Sequence, residues 1–340
     1  MKGAYRIFGS EMSPYSLKVR SYFRYKNIPY EWLLRGANSE EYQKYARLPI
    51  VPTLATPDGE GLQDSTPIIE GLEAQVSTPS IYPDDPTLKF LSQLIEEFGD
   101  EWGNKWMFHY RWKREADQAS AAQRIVADMI PGAPDADKSA MVDQVQGRMK
   151  DRISVVGSNE TTSPFIEQTF KDGMSLLEEH LANRSYLFGE RPSFADFGLS
   201  AQIYEAWTDP TAGQILEEIA PKTCEWHQRM LDPKDQGDFE EWSSLSETLS
   251  PFLRGPVRIF LAWSDANAKA VEASAPDLSV ELDGTMWSQS VGGPQKYHAK
   301  SLSELRRKFS EVGNIEKLTS LLEDVGCLQW LSSRQNINQK

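Results

Sequence analysis

Apolar residues in the first eighty positions switch repeatedly between two spacings. Tyr5, Ile7 and Phe8 form a short run suited to a strand, and Leu17, Val19, Tyr22 and Phe23 then recur at roughly helical spacing. Asn27-Ile28-Pro29 breaks that helix. A second strand is predicted over residues 30–34, a helix over 39–46, and a third strand over 51–55, entered through Pro52. Pro57-Asp58-Gly59 turns the chain into a short strand at 61–63, and Ser65 caps a helix running to about Gln75. The order is β-α-β-α-β-β-α, with the third and fourth strands paired as a hairpin.

Residues 78–86, with three prolines, read as a linker. From Leu88 to about Leu231 the pattern is almost wholly helical. Residues 88–114 are predicted as one long helix, followed by helices over 116–130, 141–155, 164–182, 194–207 and 213–230. A second break falls at 232–238. The tail beyond it reads as a helix over 249–273 with a kink or start at Gly255-Pro256, a hairpin and two further helices over 301–312 and 315–325. Asp283-Gly284 is the dipeptide expected at the tip of that hairpin. Three units result: 1–80, 87–231 and 239–340.

Composition narrows the function classes. A chain of 340 residues is long enough for two domains and an appendage. No apolar run is long enough to span a bilayer, and the start lacks the apolar core of a signal peptide. A formal net charge of −14 disfavours binding to nucleic acid or to anionic lipid. Cys224 and Cys327 lack metal-ligand or redox spacing, which fits a reducing cytoplasm without a structural disulfide. The scattered histidines, the missing P-loop and the missing dinucleotide fingerprint leave no metal or nucleotide site to propose.

Candidate chemistry sits at Ser13-Pro14-Tyr15-Ser16, where the first strand gives way to the first helix. Ser13 suits the N-cap and Pro14 the first helical position. A hydroxyl there stands at the positive end of a helix, which favours an anion, and a thiolate needs this arrangement. A free thiol has a pKa near 8.5, and lowering it by about two units takes about 3 kcal/mol of preferential stabilisation of the anion. A charge-assisted hydrogen bond supplies about 1.5–3 kcal/mol, and the helix end about 0.3–1 kcal/mol more. No formal base is required. Because Ser stands at both ends of the quartet, dithiol exchange there is excluded. Taken alone, Ser13 is better explained as a plain helix cap, and only the family features elsewhere in the chain reverse that reading.

These residues resemble the cytosolic glutathione transferase family. Ser13-Pro14-Tyr15-Ser16-Leu17-Lys18-Val19-Arg20 is similar to the first-helix signature of its serine-type classes, and Lys26-Asn27-Ile28-Pro29-Tyr30-Glu31 to the stretch leading into its second strand. Phe188-Gly189-Glu190-Arg191-Pro192-Ser193-Phe194-Ala195-Asp196 resembles a motif of its helical domain, in which Ser193 and Asp196 have capping-box spacing. The resemblance covers residues 4–231 and leaves the tail outside. It implies an α/β thioredoxin-like N-terminal domain, an all-α C-terminal domain and, here, a small α+β tail.

The resemblance also implies roles. Ser13 would donate a hydrogen bond to the glutathione sulfur. Pro52 would be cis, with Val51 pairing its backbone to the cysteinyl part of glutathione. Gln63-Asp64-Ser65-Thr66-Pro67-Ile68 resembles the turn whose acidic residue and serine, here Asp64 and Ser65, hold the γ-glutamyl group. The partner of the glycine carboxylate is open among Arg35, Lys44 and Arg47. Tyr15 with Trp102, Trp106, His109 and Tyr110, which share a helix face at i, i+4, i+7 and i+8, would wall an apolar substrate pocket. The same face equally suits packing between domains or subunits. Trp263, Trp287, Tyr297 and Trp330 read as a small added core in the tail, which covers the cleft or bears on a partner.

The resulting expectation is a cytoplasmic homodimeric glutathione transferase. Glutathione would be its cosubstrate and a small apolar or aromatic electrophile its second substrate, with no metal, nucleic acid or membrane involved. Two other readings stand beside it: a non-catalytic interaction scaffold on the same fold, and a glutathione-dependent peroxidase or reductase.

Overall fold

The computed structural model describes residues 4–313 and 315–332, so residues 1–3 of the first unit and 333–340 of the last lie outside the described residues. The first unit follows the predicted order: β1 (Tyr5–Gly9), α1 (Pro14–Tyr25), β2 (Tyr30–Leu34), α2 (Ser39–Gln43), β3 (Thr53–Ala55), β4 (Gly61–Gln63) and α3 (Ser65–Glu73). The sheet runs β2-β1-β3-β4, with β1 parallel to β2 and β3 antiparallel to both β1 and β4. Side chains alternate across it. Ile7 and Leu54 join Val19, Tyr22, Phe23 and Ile68 in the main core, while Phe8 and Ala55 form a smaller cluster with Tyr42 of α2.

The helical part comprises α4 (Pro86–Phe98), α5 (Asn104–Lys113), α6 (Glu115–Met129), α7 (Asp135–Lys150), α8 (Ser163–Leu181), α9 (Phe194–Trp207), α10 (Pro210–Ile219) and α11 (Pro221–Arg229). Asp85 starts α4: its Oδ1 accepts from the Thr87 and Leu88 amides, and Pro86 takes the first helical position. The long helix predicted over 88–114 is continuous but interrupted by a π turn at Gly99–Gly103. The single helix predicted over 213–230 is two, because Pro221 has no amide to continue α10 and instead opens α11. The predicted capping box of α9 is present, and Asp196 also accepts from the Leu187 amide and the Trp226 indole at 2.8 Å each.

Helix α9 meets both units. Gly198 and Gly99 allow its backbone to approach α4 and the π turn so closely that a Cβ on Gly99 would stand 2.7 Å from Leu199 Cα. The α1 helix packs on the other side of α9, with Tyr22 and Tyr25 against Phe197.

The tail holds α12 (Trp242–Phe252), a π turn (Leu253–Val257) at the predicted Gly255-Pro256 kink, α13 (Arg258–Glu272), β5 (Asp277–Leu282), β6 (Thr285–Ser290), α14 (Gly293–Ser310), α15 (Ile315–Asp324) and α16 (Leu328–Leu331). Asp283 and Gly284 both have positive φ, 45° and 82°, as a tight two-residue hairpin turn requires. The tail does not fold apart from the rest. Trp263 and Trp287 are fully buried against Trp102 of the π turn, in the same cluster that runs through both other units.

Candidate functional site

Ser13 has extended backbone angles (φ −112°, ψ 112°) and caps α1, its Oγ accepting from the Ser16 amide at 3.3 Å. Ser13 is half-buried, whereas Ser16 is fully buried and accepts from the Ser10 amide at 3.4 Å. Of the two hydroxyls in the quartet, Ser13 is therefore the one at the mouth of the helix.

The turn before Ser13 is held from the helical part. Arg111, 3% exposed, donates to Met12 O at 3.1 Å. Its other nitrogens bond Glu205 and Asp209 at 2.7 and 2.8 Å. Burial pulls the Arg111 pKa down, but the Asp209 and Glu205 carboxylates outweigh it, so the guanidinium stays charged. Asp128 of α6 accepts from the Glu11 amide at 3.1 Å. Sequence reasoning missed both anchors, which act across roughly a hundred residues.

The Val51-Pro52 bond is cis, as the resemblance implied. The loop ahead of it is shaped by Gln63. The Gln63 Oε1 accepts from the Arg47 and Leu48 amides at 2.9 Å each, and Nε2 donates to Leu48 O at 2.8 Å and Thr53 Oγ1 at 2.9 Å. One amide side chain thus satisfies several backbone groups that the loop could not pair internally. Of the three cations considered for the glycine carboxylate, Arg35 lies over the Tyr42 ring at 4.8 Å and Lys44 pairs with Glu41. Arg47 is exposed, with no ion pair among the described residues.

Asp64 precedes α3 with a φ of 79°, a conformation that strains a non-glycine residue. Ser65 is 3% exposed at the start of the helix. Beneath this turn lies a buried ionic group absent from the sequence reading. Lys18 of α1, fully buried, donates to Asp100 Oδ2 at 2.6 Å, to Thr66 Oγ1 at 3.0 Å and to Glu96. Thr66 also donates to Glu96 at 2.6 Å, and Ser65 Oγ is 3.5 Å from Asp100 Oδ2. Burial pulls the Lys18 pKa down, but Asp100 and Glu96 raise it above its ordinary value. Burial, only partly offset by Lys18, pushes the Asp100 carboxyl up. The group ties α1, α3 and α4 together under Asp64 and Ser65.

Tyr15 links the helix mouth to this turn. Its hydroxyl donates to Asp100 O at 2.8 Å, and burial, together with the nearby Asp100 and Asp64 carboxylates, raises its pKa. Because its hydroxyl is committed to the π turn, Tyr15 bridges the two units.

The aromatic wall expected on the long helix is core. Trp102 packs between Trp263 and Trp287, with ring centres 6.2 and 5.5 Å away. Trp106 sits against Phe98 and Phe170 and donates to Thr169 Oγ1 at 3.0 Å. Tyr110 packs on Phe170 at 4.8 Å. His109 lies 2.8 Å from Ser158 Oγ and 3.1 Å from Glu167 Oε1, and burial lowers its pKa. All four side chains are at most 1% exposed and cannot meet a substrate there. A cavity of about 760 Å³ does open at the C-terminal ends of α3 and α14, but none of Ser13, Val51, Asp64 and Ser65 lines it.

Two family models match this chain. The glutathione S-transferase N-terminal domain matches residues 7–80 and the glutathione S-transferase C-terminal domain residues 139–229. Residues 7–80 and 139–229 are thus the two domains of the glutathione transferase family. Its tail, from α12 onwards, lies beyond both matches. Similar solved structures include the beta-etherase LigF from Sphingobium sp. strain SYK-6, at 19% identity, covering 73% of this chain and 99% of its own, with a TM-score of 0.48. A glutathione S-transferase from Methylobacterium radiotolerans, in complex with glutathione sulfonate, is 17% identical, covers 70% of this chain and 99% of its own, and has a TM-score of 0.42. The tau class transferase of mango is 18% identical, covers 74% of this chain and 100% of its own, and has a TM-score of 0.37. No curated protein matches the chain. Both cysteines are buried free thiols, and no helix among the described residues is long and apolar enough to cross a membrane.

Proposed function

We propose that this protein is a glutathione transferase in which Ser13 keeps the glutathione sulfur ionised for attack on an apolar or aromatic electrophile. The observation that carries the reading is the Ser13 hydroxyl itself. It accepts from the Ser16 amide, which leaves its own O–H to donate outward from the mouth of α1. A thiolate accepting that bond would also feel the positive end of the helix. Val51, next to the cis peptide, is the backbone partner proposed for the cysteinyl residue. Asp64 and Ser65 are the partners proposed for the γ-glutamyl ammonium and carboxylate. Arg47, exposed and unpaired among the described residues, is the partner proposed for the glycine carboxylate.

One observation favours the scaffold reading instead: a side chain of the tail already bonds Asp64. Calorimetry with glutathione, followed by a conjugation assay with a halonitroarene, separates the two. Binding together with turnover that falls about tenfold or more in Ser13→Ala, at an unchanged thermal midpoint, is the expected result. No binding at millimolar glutathione, or full turnover in Ser13→Ala, contradicts it.

A further inference from the structure

Helix α14 of the tail lies along the seam between α3 and α4. Lys308 pairs with Glu70 of α3 at 2.6 Å, Phe309 packs edge-on against Phe90 of α4, and His298 contacts Glu101 of the π turn. These anchors, spread over three turns of α14, fix where its first half lies. They bring Tyr297 to Asp64, 233 residues away in the chain, and its hydroxyl donates to Asp64 Oδ2. Tyr297 is 48% exposed, so burial of its ring does not explain its position. Asp64 is also the residue whose backbone is strained. A strained residue at a candidate site persists when its surroundings over-determine it. Here the tail provides one of those restraints.

We propose that Tyr297 is a positioning residue of the glutathione site, supplied by the tail, which aims the Asp64 carboxylate at the γ-glutamyl ammonium. The inference rests on the glutathione reading given above. Tyr297 takes one carboxylate oxygen, Oδ2, and leaves Oδ1 for the ligand. The phenol acts as a donor throughout the neutral range, because desolvation at its hydroxyl end, with the ring half exposed, and the Asp64 charge both raise its pKa. The tail thereby selects for the γ-glutamyl end of the tripeptide and not for its thiol.

Titration calorimetry on the full chain tests this with two ligands, glutathione and cysteinylglycine, which lacks the γ-glutamyl group. Tyr297→Phe removes the hydroxyl and keeps the ring. The expected result is about a tenfold rise in the Kd for glutathione with no change in the Kd for cysteinylglycine. Equal affinity of the wild type and Tyr297→Phe for glutathione overturns the inference, as does an equal loss for both ligands. Tighter binding by Tyr297→Phe also overturns it, because the hydroxyl would then be a plug. A wild type that takes up no glutathione overturns the underlying glutathione reading itself, and is told apart by that measurement alone.

Discussion

Replacing Lys18 by Met tests how the buried ionic group supports the site. The variant keeps most of the apolar stem and removes the ammonium. It leaves the Glu96 and Asp100 side chains, at 1% and 11% exposure, without their cation. Thr66 still donates its one hydroxyl proton to Glu96, so Asp100 Oδ2 keeps only the distant Ser65 hydroxyl, at 3.5 Å. Removing one partner of a buried pair costs about 3–5 kcal/mol, because a buried charge is left uncompensated. At about 2.1 cal/mol/K per residue, the 340 residues have an unfolding entropy of about 0.7 kcal/mol/K if the chain melts as one unit, which gives a fall in Tm of about 4–7 °C. The sign of the pH dependence follows from the raised Asp100 carboxyl. A carboxyl whose folded pKa lies above its unfolded value loses stability as pH rises through that interval. Without Lys18 the shift grows, so the variant's deficit should be larger at pH 8 than at pH 5. Scanning calorimetry of both proteins at the two pH values measures it. A deficit under about 1 kcal/mol, or one equal at both pH values, would refute the account of this group.

Two further perturbations separate competing effects. Gly99→Ala should gain about 1 kcal/mol of helix propensity but lose more, because the new Cβ would stand 2.7 Å from Leu199 backbone atoms that cannot move aside as a side chain would; a lower thermal midpoint is expected, and an unchanged or higher one would show that α4 and α9 separate easily. His227 is 1% exposed between Tyr204 and Trp207, with neither ring nitrogen hydrogen-bonded, and burial lowers its pKa to about 3. Its stability contribution is therefore full above about pH 6.5 and is lost as pH falls towards the folded value, by about 2–3 kcal/mol at pH 4.5. His227→Phe should gain on the wild type by that amount between pH 7 and 4.5 in urea titrations, whereas a constant difference would mean that the ring protonates without penalty.

How much of this was legible in the sequence depended on the range of the interaction. Local signals were reliable: the Ser13 cap, the Ser193–Asp196 box and the Asp283-Gly284 turn each act within a few residues. Pro221 was a visible breaker, yet the apolar rhythm runs through it, and one helix was expected where two form. Trp102 and Trp106 had the right spacing for a shared face, but spacing cannot tell a pocket wall from core, since both require apolar side chains at the same positions. Lys18 was legible only as part of a family motif, because its partners Glu96 and Asp100 lie 78 and 82 residues away. Gln63 likewise looked like one letter of a turn until its amide was seen holding the loop ahead of Pro52. The Tyr297–Asp64 contact spans most of the chain, and no local pattern announces it.

The most direct test of the central claim is the pKa of the glutathione thiol when bound, followed by thiolate absorbance in the ultraviolet during a pH titration. In the wild type it should lie about two units below the value near 8.5 of a free thiol, and in Ser13→Ala it should return at least one unit towards that value. A bound thiol that titrates at the same pH in both proteins would contradict the assignment of Ser13.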